Sequence, residues 1–125
     1  MNTLLLIGAT LILLLGAVHS YLGERYILIR LFRRADLPHL FGSDVFTKRT
    51  LRFAWHLTTV AWLGLGVFFI MIADPALVLS RTEVGAVLAA TAAVSAVVAL
   101  IGSRGRHLAW LVFAVVAVAA WLGSR

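Results

Sequence analysis

Three of the four histidines lie near the ends of apolar runs, where an ionisable side chain is costly and indicates a functional role. His19 is near the end of the first run, His56 is near the start of the second, and His107 opens the fourth. If the runs alternate in direction, these three positions fall at one end of the molecule. Imidazole nitrogens bind transition metals and haem iron, so the sequence predicts a histidine site at that end.

The depth of each histidine follows from its spacing to the nearest arginine. His19 precedes Arg25 by six residues and His56 follows Arg52 by four, which corresponds to about 9 Å and about 6 Å along a helix. We predict that these two histidines are the cofactor ligands. The predicted metal ligand set is His19, His56, His107 and Glu24. The predicted occupant is zinc, iron or copper, or haem b.

Small and polar residues near the deeper histidines are predicted to support the site. Gly16 and Gly23 share the face of His19, which leaves room for a macrocycle or for a close helix. Glu24 lies about 140° around the helix from His19 but shares a face with Ser20. We expect Glu24 either to pair with an arginine or to act as a ligand or proton acceptor. The supporting set is Ser20, Gly16, Gly23, Arg52 and Thr59.

Four apolar runs account for most of the chain and predict an all-α integral membrane protein. Of 125 residues, 62% are apolar, and the mean hydropathy is +1.03, whereas soluble domains are about 45–50% apolar. We predict one domain, 1–125, with four transmembrane helices in an up-down bundle. The predicted spans are 3–22, 53–73, 84–102 and 107–123. The first run has no basic residue before it, so we expect it to be retained rather than cleaved.

Basic residues are concentrated in two connections, and this distribution predicts the orientation. Nine of the eleven lysines and arginines lie in 24–52 or 104–106. By the positive-inside rule, both connections face the cytoplasm of a bacterial inner membrane and both termini lie outside. Within 24–52, the mixture of bulky apolar and basic residues in 26–34 predicts a continued or interfacial helix. We expect the basic loop to contact anionic lipid head groups rather than nucleic acid.

Two sequence patterns predict helix packing. The third run is rich in small residues, so we expect it to pack closely within the bundle or against another protein. Those residues are Gly85, Ala89, Ala90, Ala92, Ala93, Ser95, Ala96 and Ala99. In the second run Trp55, Trp62 and Phe69 recur every seven residues, which predicts a lipid-facing or packing stripe.

The sequence leaves three hypotheses for function and leaves enzymatic activity undecided. The first is a histidine metal or haem site used for redox transfer or for chemistry on a lipophilic substrate. The second is an accessory or assembly subunit that joins a larger complex, or a homo-oligomer, through the third helix. The third, less favoured because the third and fourth runs contain no acid or base at mid-membrane depth and no discontinuous helix is apparent, is a small proton-coupled carrier. The absence of cysteine excludes disulfides and thiolate sites.

Overall fold

The computed structural model describes all 125 residues as four helices joined by short connections and one longer one. We number the helices α1 to α4 in chain order. Their bounds are Thr3–Leu31, Val45–Ala73, Arg81–Ser103 and Ala109–Gly123. No strand is formed, so the all-α prediction is confirmed.

The lengths and surfaces of the helices fit a membrane protein. Helices α1, α2 and α3 are long and apolar enough to cross a bilayer, whereas α4 has only 15 residues. Only 15 of the 125 residues are buried, and large apolar side chains such as Leu4, Leu11 and Ile101 are more than half exposed. Because so much apolar surface is unfavourable in water, this surface indicates a lipid environment.

Neighbouring helices are antiparallel. The Asn2 N–H donates to the Ala73 carbonyl at 2.7 Å, which joins the start of α1 to the end of α2. The Thr82 hydroxyl donates to the Ser124 carbonyl at 3.0 Å, which joins the start of α3 to the end of α4. Close backbone contacts link α1 with α2, α2 with α3 and α3 with α4, but not α1 with α4. The four helices therefore alternate in direction and form an open row.

Local sequence signals fix where the helices begin and end. Ser80 and Glu83 form a capping box, in which each side chain accepts a hydrogen bond from the backbone N–H of the other, and α3 starts there. Helix α2 ends at Ala73, directly before the Asp74–Pro75 pair. It begins at Val45, eight residues before the predicted apolar span. Its first two turns therefore carry basic residues beyond that span.

Helix α1 changes its geometry at the end that carries the basic connection. Residues Gly23–Leu28 form a π-helical segment, and the α-helix resumes from Ile29 to Leu31. Of the helix predicted at 26–34, the part up to Leu31 is thus a continuation of α1. A π-helical turn contains more residues than an α-helical turn. It therefore alters which side chains of α1 face α2, and Glu24 lies within it.

Most of the small residues of α3 are packed inside the chain, although Ala90 and Ala93 are exposed. Gly85, Ala89, Ala92 and Ala99 are buried, and α3 contacts both α2 and α4. The predicted close packing within the helix assembly is therefore confirmed. Association of α3 with another protein stays a prediction.

Candidate functional site

A half-buried histidine of α2 lies at the centre of a polar network between α1 and α2. The network is at the basic end, by which we mean the end that carries 24–52 and 104–106. His56 Nδ1 is 2.8 Å from the Ser20 hydroxyl oxygen, and His56 Nε2 is 3.4 Å from a carboxylate oxygen of Glu24. Both partners are on α1, as their predicted shared face requires. One imidazole therefore links a carboxylate to a hydroxyl across the helix interface.

An arginine holds the carboxylate at the outer end of this network. Arg52 Nη2 is 3.0 Å from Glu24 Oε1, and Arg52 Nε donates to Glu24 Oε2 at 3.2 Å. Glu24 therefore pairs with an arginine, which is one of the two roles that the sequence left open for it. Because an ionised carboxylate only accepts hydrogen bonds, the contact with Glu24 assigns an N–H to His56 Nε2.

The network continues from His56 into the apolar part of the interface. The Ser20 hydroxyl is 2.8 Å from the Thr59 hydroxyl, and Thr59 Oγ1 is 3.3 Å from the Gly16 carbonyl oxygen. Gly16 and Glu24 are eight residues apart on α1, or about 12 Å. Polar contacts therefore run without a break from the basic end to a backbone carbonyl within the span.

His19 lies in a separate group with two tryptophans. Its ring stacks on Trp55, with centroids 4.4 Å apart and planes at 3°, and meets Trp62 edge-on at 4.9 Å. Thr58 Oγ1 donates to the Trp55 carbonyl at 2.7 Å and lies 3.0 Å from His19 Nε2, so this arrangement assigns the hydrogen to Nε2. The Trp55 indole N–H donates to the His19 carbonyl at 3.2 Å. These tryptophans therefore pack against α1.

The two glycines that were predicted to leave space on α1 have their space filled by α2. At Gly23 an added Cβ would overlap the Trp55 indole, and at Gly16 it would touch the Thr59 methyl group. The room that the sequence assigned to a macrocycle or to a close helix is thus taken by a close helix.

His107 lies apart from both groups. Its ring is between Phe46 and Phe53, at centroid distances of 5.9 and 5.2 Å, and its Nδ1 accepts the Ala109 N–H. Of the predicted ligands, Glu24 and His56 are the pair in direct contact. No group of three or more histidine or carboxylate side chains that could hold a metal ion is present. Metal or haem binding stays a prediction.

The network contains four hydrogen-bond contacts, and a neutral His56 supplies too few hydrogens for all of them. The contacts are Glu24–His56, His56–Ser20, Ser20–Thr59 and Thr59–Gly16. With a neutral imidazole, Nδ1 accepts the Ser20 hydrogen, and Thr59 has one hydrogen for two acceptors. Three hydrogens then serve four contacts.

Protonation of His56 supplies the missing hydrogen. Nδ1–H then donates to Ser20, the Ser20 hydroxyl donates to Thr59, and the Thr59 hydroxyl donates to the Gly16 carbonyl. All four contacts become hydrogen bonds, with Nε2–H still on Glu24. The direction of the Ser20 hydroxyl thus depends on whether His56 Nδ1 carries a proton, and protonation leaves the Gly16 carbonyl as the one acceptor for the Thr59 hydroxyl.

Three arginines line a cavity beside His56. His56 lines a cavity of about 520 Å³ between α2 and α3. Arg49 and Arg52 of α2 and Arg104, which follows α3, line the same cavity. The charged groups around the imidazole are therefore one carboxylate from α1 and three arginines.

The sequence reasoning missed Thr58 and treated Trp55 only as part of a stripe. Both enclose His19. The sequence contained a signal for this group, because Trp55, Thr58 and Trp62 follow helical offsets of three and four and so share a face.

Comparisons with protein-family models, with curated proteins and with solved structures found no match.

Proposed function

We propose that this chain is a small inner-membrane protein that binds and releases a proton at His56 and transmits the protonation state along the α1–α2 interface. The observation that supports it is the unbroken set of contacts from Glu24 through His56 and Ser20 to Thr59 and Gly16. Ionisable side chains within a membrane span are costly, and proton relays are one of their established uses.

The proposed event adds one proton to His56 and breaks no covalent bond. The hydroxyl groups change only their hydrogen-bond partners. A proton from the basic end binds His56 Nδ1, and the Ser20 and Thr59 hydroxyls rotate so that each donates toward Gly16. The interface gains one hydrogen bond, whose net worth is about 0.5–1.5 kcal/mol. Proton binding at His56 therefore tightens the pairing of α1 and α2, and proton release loosens it.

The proposed orientation places the basic end in the cytoplasm and both termini outside. Its support is the concentration of nine of the eleven basic residues in two connections at one end. A C-terminal alkaline phosphatase fusion should be active and a C-terminal fluorescent protein fusion dark. The reverse pattern would place the histidine network at the outer face instead.

We call the protonation of His56, together with the hydroxyl rotations that follow it, the proton relay. Nuclear magnetic resonance of isotope-labelled protein in micelles tests it directly. When the pH is lowered, the ¹⁵N signals of His56 should change to those of a doubly protonated ring. The carbonyl ¹³C signal of Gly16 should shift in step, because the Thr59 hydrogen has two possible acceptors when His56 is neutral and donates to Gly16 alone when His56 is protonated.

Two variants separate the relay from a general effect of pH. In Ser20→Ala, the His56 ring should still titrate while the Gly16 carbonyl signal stays constant. In His39→Gln, which alters an exposed loop histidine, both changes should remain as in the natural protein. A Gly16 signal that ignores the titration of His56 in the natural protein would reject the relay.

The metal or haem hypothesis is a distinguishable alternative. Both ring nitrogens of His56 already have partners, so a metal bond there would displace either Ser20 or Glu24. A visible spectrum and elemental analysis of the purified protein test it. A Soret band, or stoichiometric metal that is lost in His56→Ala, would favour a cofactor site over proton binding.

An accessory role through α3 can be tested at one exposed residue of that helix. Gly85 and Ala89 are buried inside the chain, whereas Ala93 is exposed in an open groove on the α3–α4 face. Ala93→Leu should therefore disrupt association with a partner without altering the fold. If Ala93→Leu co-purifies with the same proteins as the natural chain, this face is not the point of attachment.

A further inference from the structure

The cavity beside His56 carries more positive charge than the chain itself compensates. Arg52 is paired with Glu24, but Arg49 and Arg104 form no ion pair and no side-chain hydrogen bond. No carboxylate lines the cavity. Two guanidinium groups that line the same open cavity repel each other unless an anion lies between them.

The backbone also departs from the ordinary pattern at one of these arginines. Arg104 caps the C-terminus of α3 with φ of 53° and ψ of 42°, which is the left-handed conformation. Glycine is the residue that usually occupies such a position, because it has no Cβ. Here the left-handed position carries a guanidinium group that lines the cavity.

The remaining walls of the cavity are apolar and lead to the outer surface of α3. Phe53 is buried at the α2 side. On the α3 side Val97 and Ile101 line the cavity, and they are 53% and 70% exposed. Because they lie one helical turn apart, they form a continuous strip. An occupant with an anionic head and an apolar tail would satisfy both kinds of wall.

We propose that this cavity binds one anionic phospholipid, with its phosphate between Arg49 and Arg104 and an acyl chain along Val97 and Ile101. The volume of about 520 Å³ lies within the usual range for ligand sites, about 300–1,000 Å³. The charge of the walls selects an anionic head over a zwitterionic one. The inference deepens the proposed function by naming a ligand for the cavity that His56 lines. It rests on that function only in placing the ligand beside the proton-binding histidine.

Native mass spectrometry of the full chain in detergent tests the site with two lipids of equal acyl length. Phosphatidylglycerol should bind with a stoichiometry of one and more tightly than phosphatidylcholine. Each arginine replaced by glutamine should weaken phosphatidylglycerol binding about fivefold, and Arg49→Gln with Arg104→Gln about 25-fold. The matched control is Arg25→Gln, which removes an exposed arginine from the same end and should leave binding within about twofold.

A second variant tests the apolar half of the site and keeps every arginine. Val97→Trp places an indole over the strip at an exposed position, where folding should tolerate it, and it should reduce phosphatidylglycerol binding about as much as the double arginine variant. Circular dichroism checks that each variant keeps its helices. If Arg25→Gln weakens binding as much as Arg49→Gln, the charge of the whole basic end is responsible and the site is rejected.

Competition with a soluble anion distinguishes a lipid from a free phosphate. Glycerol phosphate at equal concentration should not displace phosphatidylglycerol, because it lacks the acyl chain. Complete displacement would overturn the lipid as occupant. Equal binding of phosphatidylglycerol and phosphatidylcholine would overturn the anionic site.

The lipid site and the proton relay can fail separately. In lipid-free micelles the double arginine variant should keep the shift of the Gly16 carbonyl ¹³C signal that accompanies protonation of His56. Ser20→Ala should lose that shift and still bind phosphatidylglycerol. If Ser20→Ala instead loses the lipid, the inferred division between cavity and relay is wrong.

Discussion

The α1–α2 and α3–α4 interfaces join antiparallel apolar helices in different ways. Between α1 and α2, His56 and Trp55 make side-chain hydrogen bonds to the opposite helix. Between α3 and α4, the packing depends on small residues, and Gly85 lies directly against Ser124. The hydroxyl of Ser95 donates to a carbonyl of its own helix rather than across the interface.

The difference shows that this chain can pair two helices with one side-chain hydrogen bond between them, from the Thr82 hydroxyl of α3 to the Ser124 carbonyl after α4. Small residues alone allow close backbone approach in lipid, where van der Waals packing and lipid entropy drive association. Interhelical hydrogen bonds in membranes average well under the strength expected for an apolar medium. The polar network between α1 and α2 therefore exceeds what helix pairing requires, and this excess supports a functional interpretation.

The largest effect should come from adding a methyl group where the tryptophan crosses α1. Gly23→Ala would force the Trp55 indole away from the His19 ring and from the His19 carbonyl. We expect a loss of about 3 kcal/mol in the free energy of unfolding, measured by detergent-induced unfolding followed by circular dichroism. Gly123→Ala is the matched control, since an added Cβ there meets no atom within 4 Å.

The corresponding change in the small-residue interface should cost less. In Gly85→Ala the new methyl group would overlap the Ser124 side chain, but Ser124 lies just beyond the end of α4 and its segment can move outward. We expect a loss of about 1–2 kcal/mol by the same measurement. A loss larger than that of Gly23→Ala would reverse the comparison and make α3–α4 the more tightly fitted interface.

Much of the fold could be predicted because its signals are local. Asp74–Pro75 stops α2 and the Ser80–Glu83 capping box starts α3, and each acts through the backbone within a few residues. The sequence also offered pairing with an arginine as one of two roles for Glu24, but it did not select Arg52. The antiparallel order followed from the apolar runs and their short connections.

The lateral arrangement of the site was harder to predict than its depth. The depths of His19 and His56 are similar, yet their rings have different partners, because Trp55 and His56 are adjacent on α2 and point about 100° apart. The π-helical segment at Gly23 also changes the register of α1 next to the site. Such a bulge has no clear sequence signal, so the sequence placed the histidines at one end but did not determine which of them share partners.

A smaller effect should distinguish the interhelical serine from an intrahelical one. Ser20→Ala removes contacts to both His56 and Thr59, so we expect it to lower the free energy of unfolding by about 1 kcal/mol. Ser95→Ala removes only a bond within α3, and we expect a change of about 0.5 kcal/mol or less. Equal losses would show that the network adds nothing to the pairing of α1 and α2.

The smallest effect should come from an ion pair outside both interfaces. The hydrogen bond from Arg34 lowers the pKa of Asp36 in the exposed loop. Because the folded pKa is the lower one, its contribution to stability is complete above the unfolded value of about 3.9 and is lost as the pH falls through the folded value. Between pH 5 and 8 that contribution is constant. Asp36→Asn should therefore keep the same change in melting temperature between pH 8 and 5 as the natural protein, while Ser20→Ala alters it. If Asp36→Asn abolishes the pH dependence, the loop rather than the α1–α2 interface responds to protons.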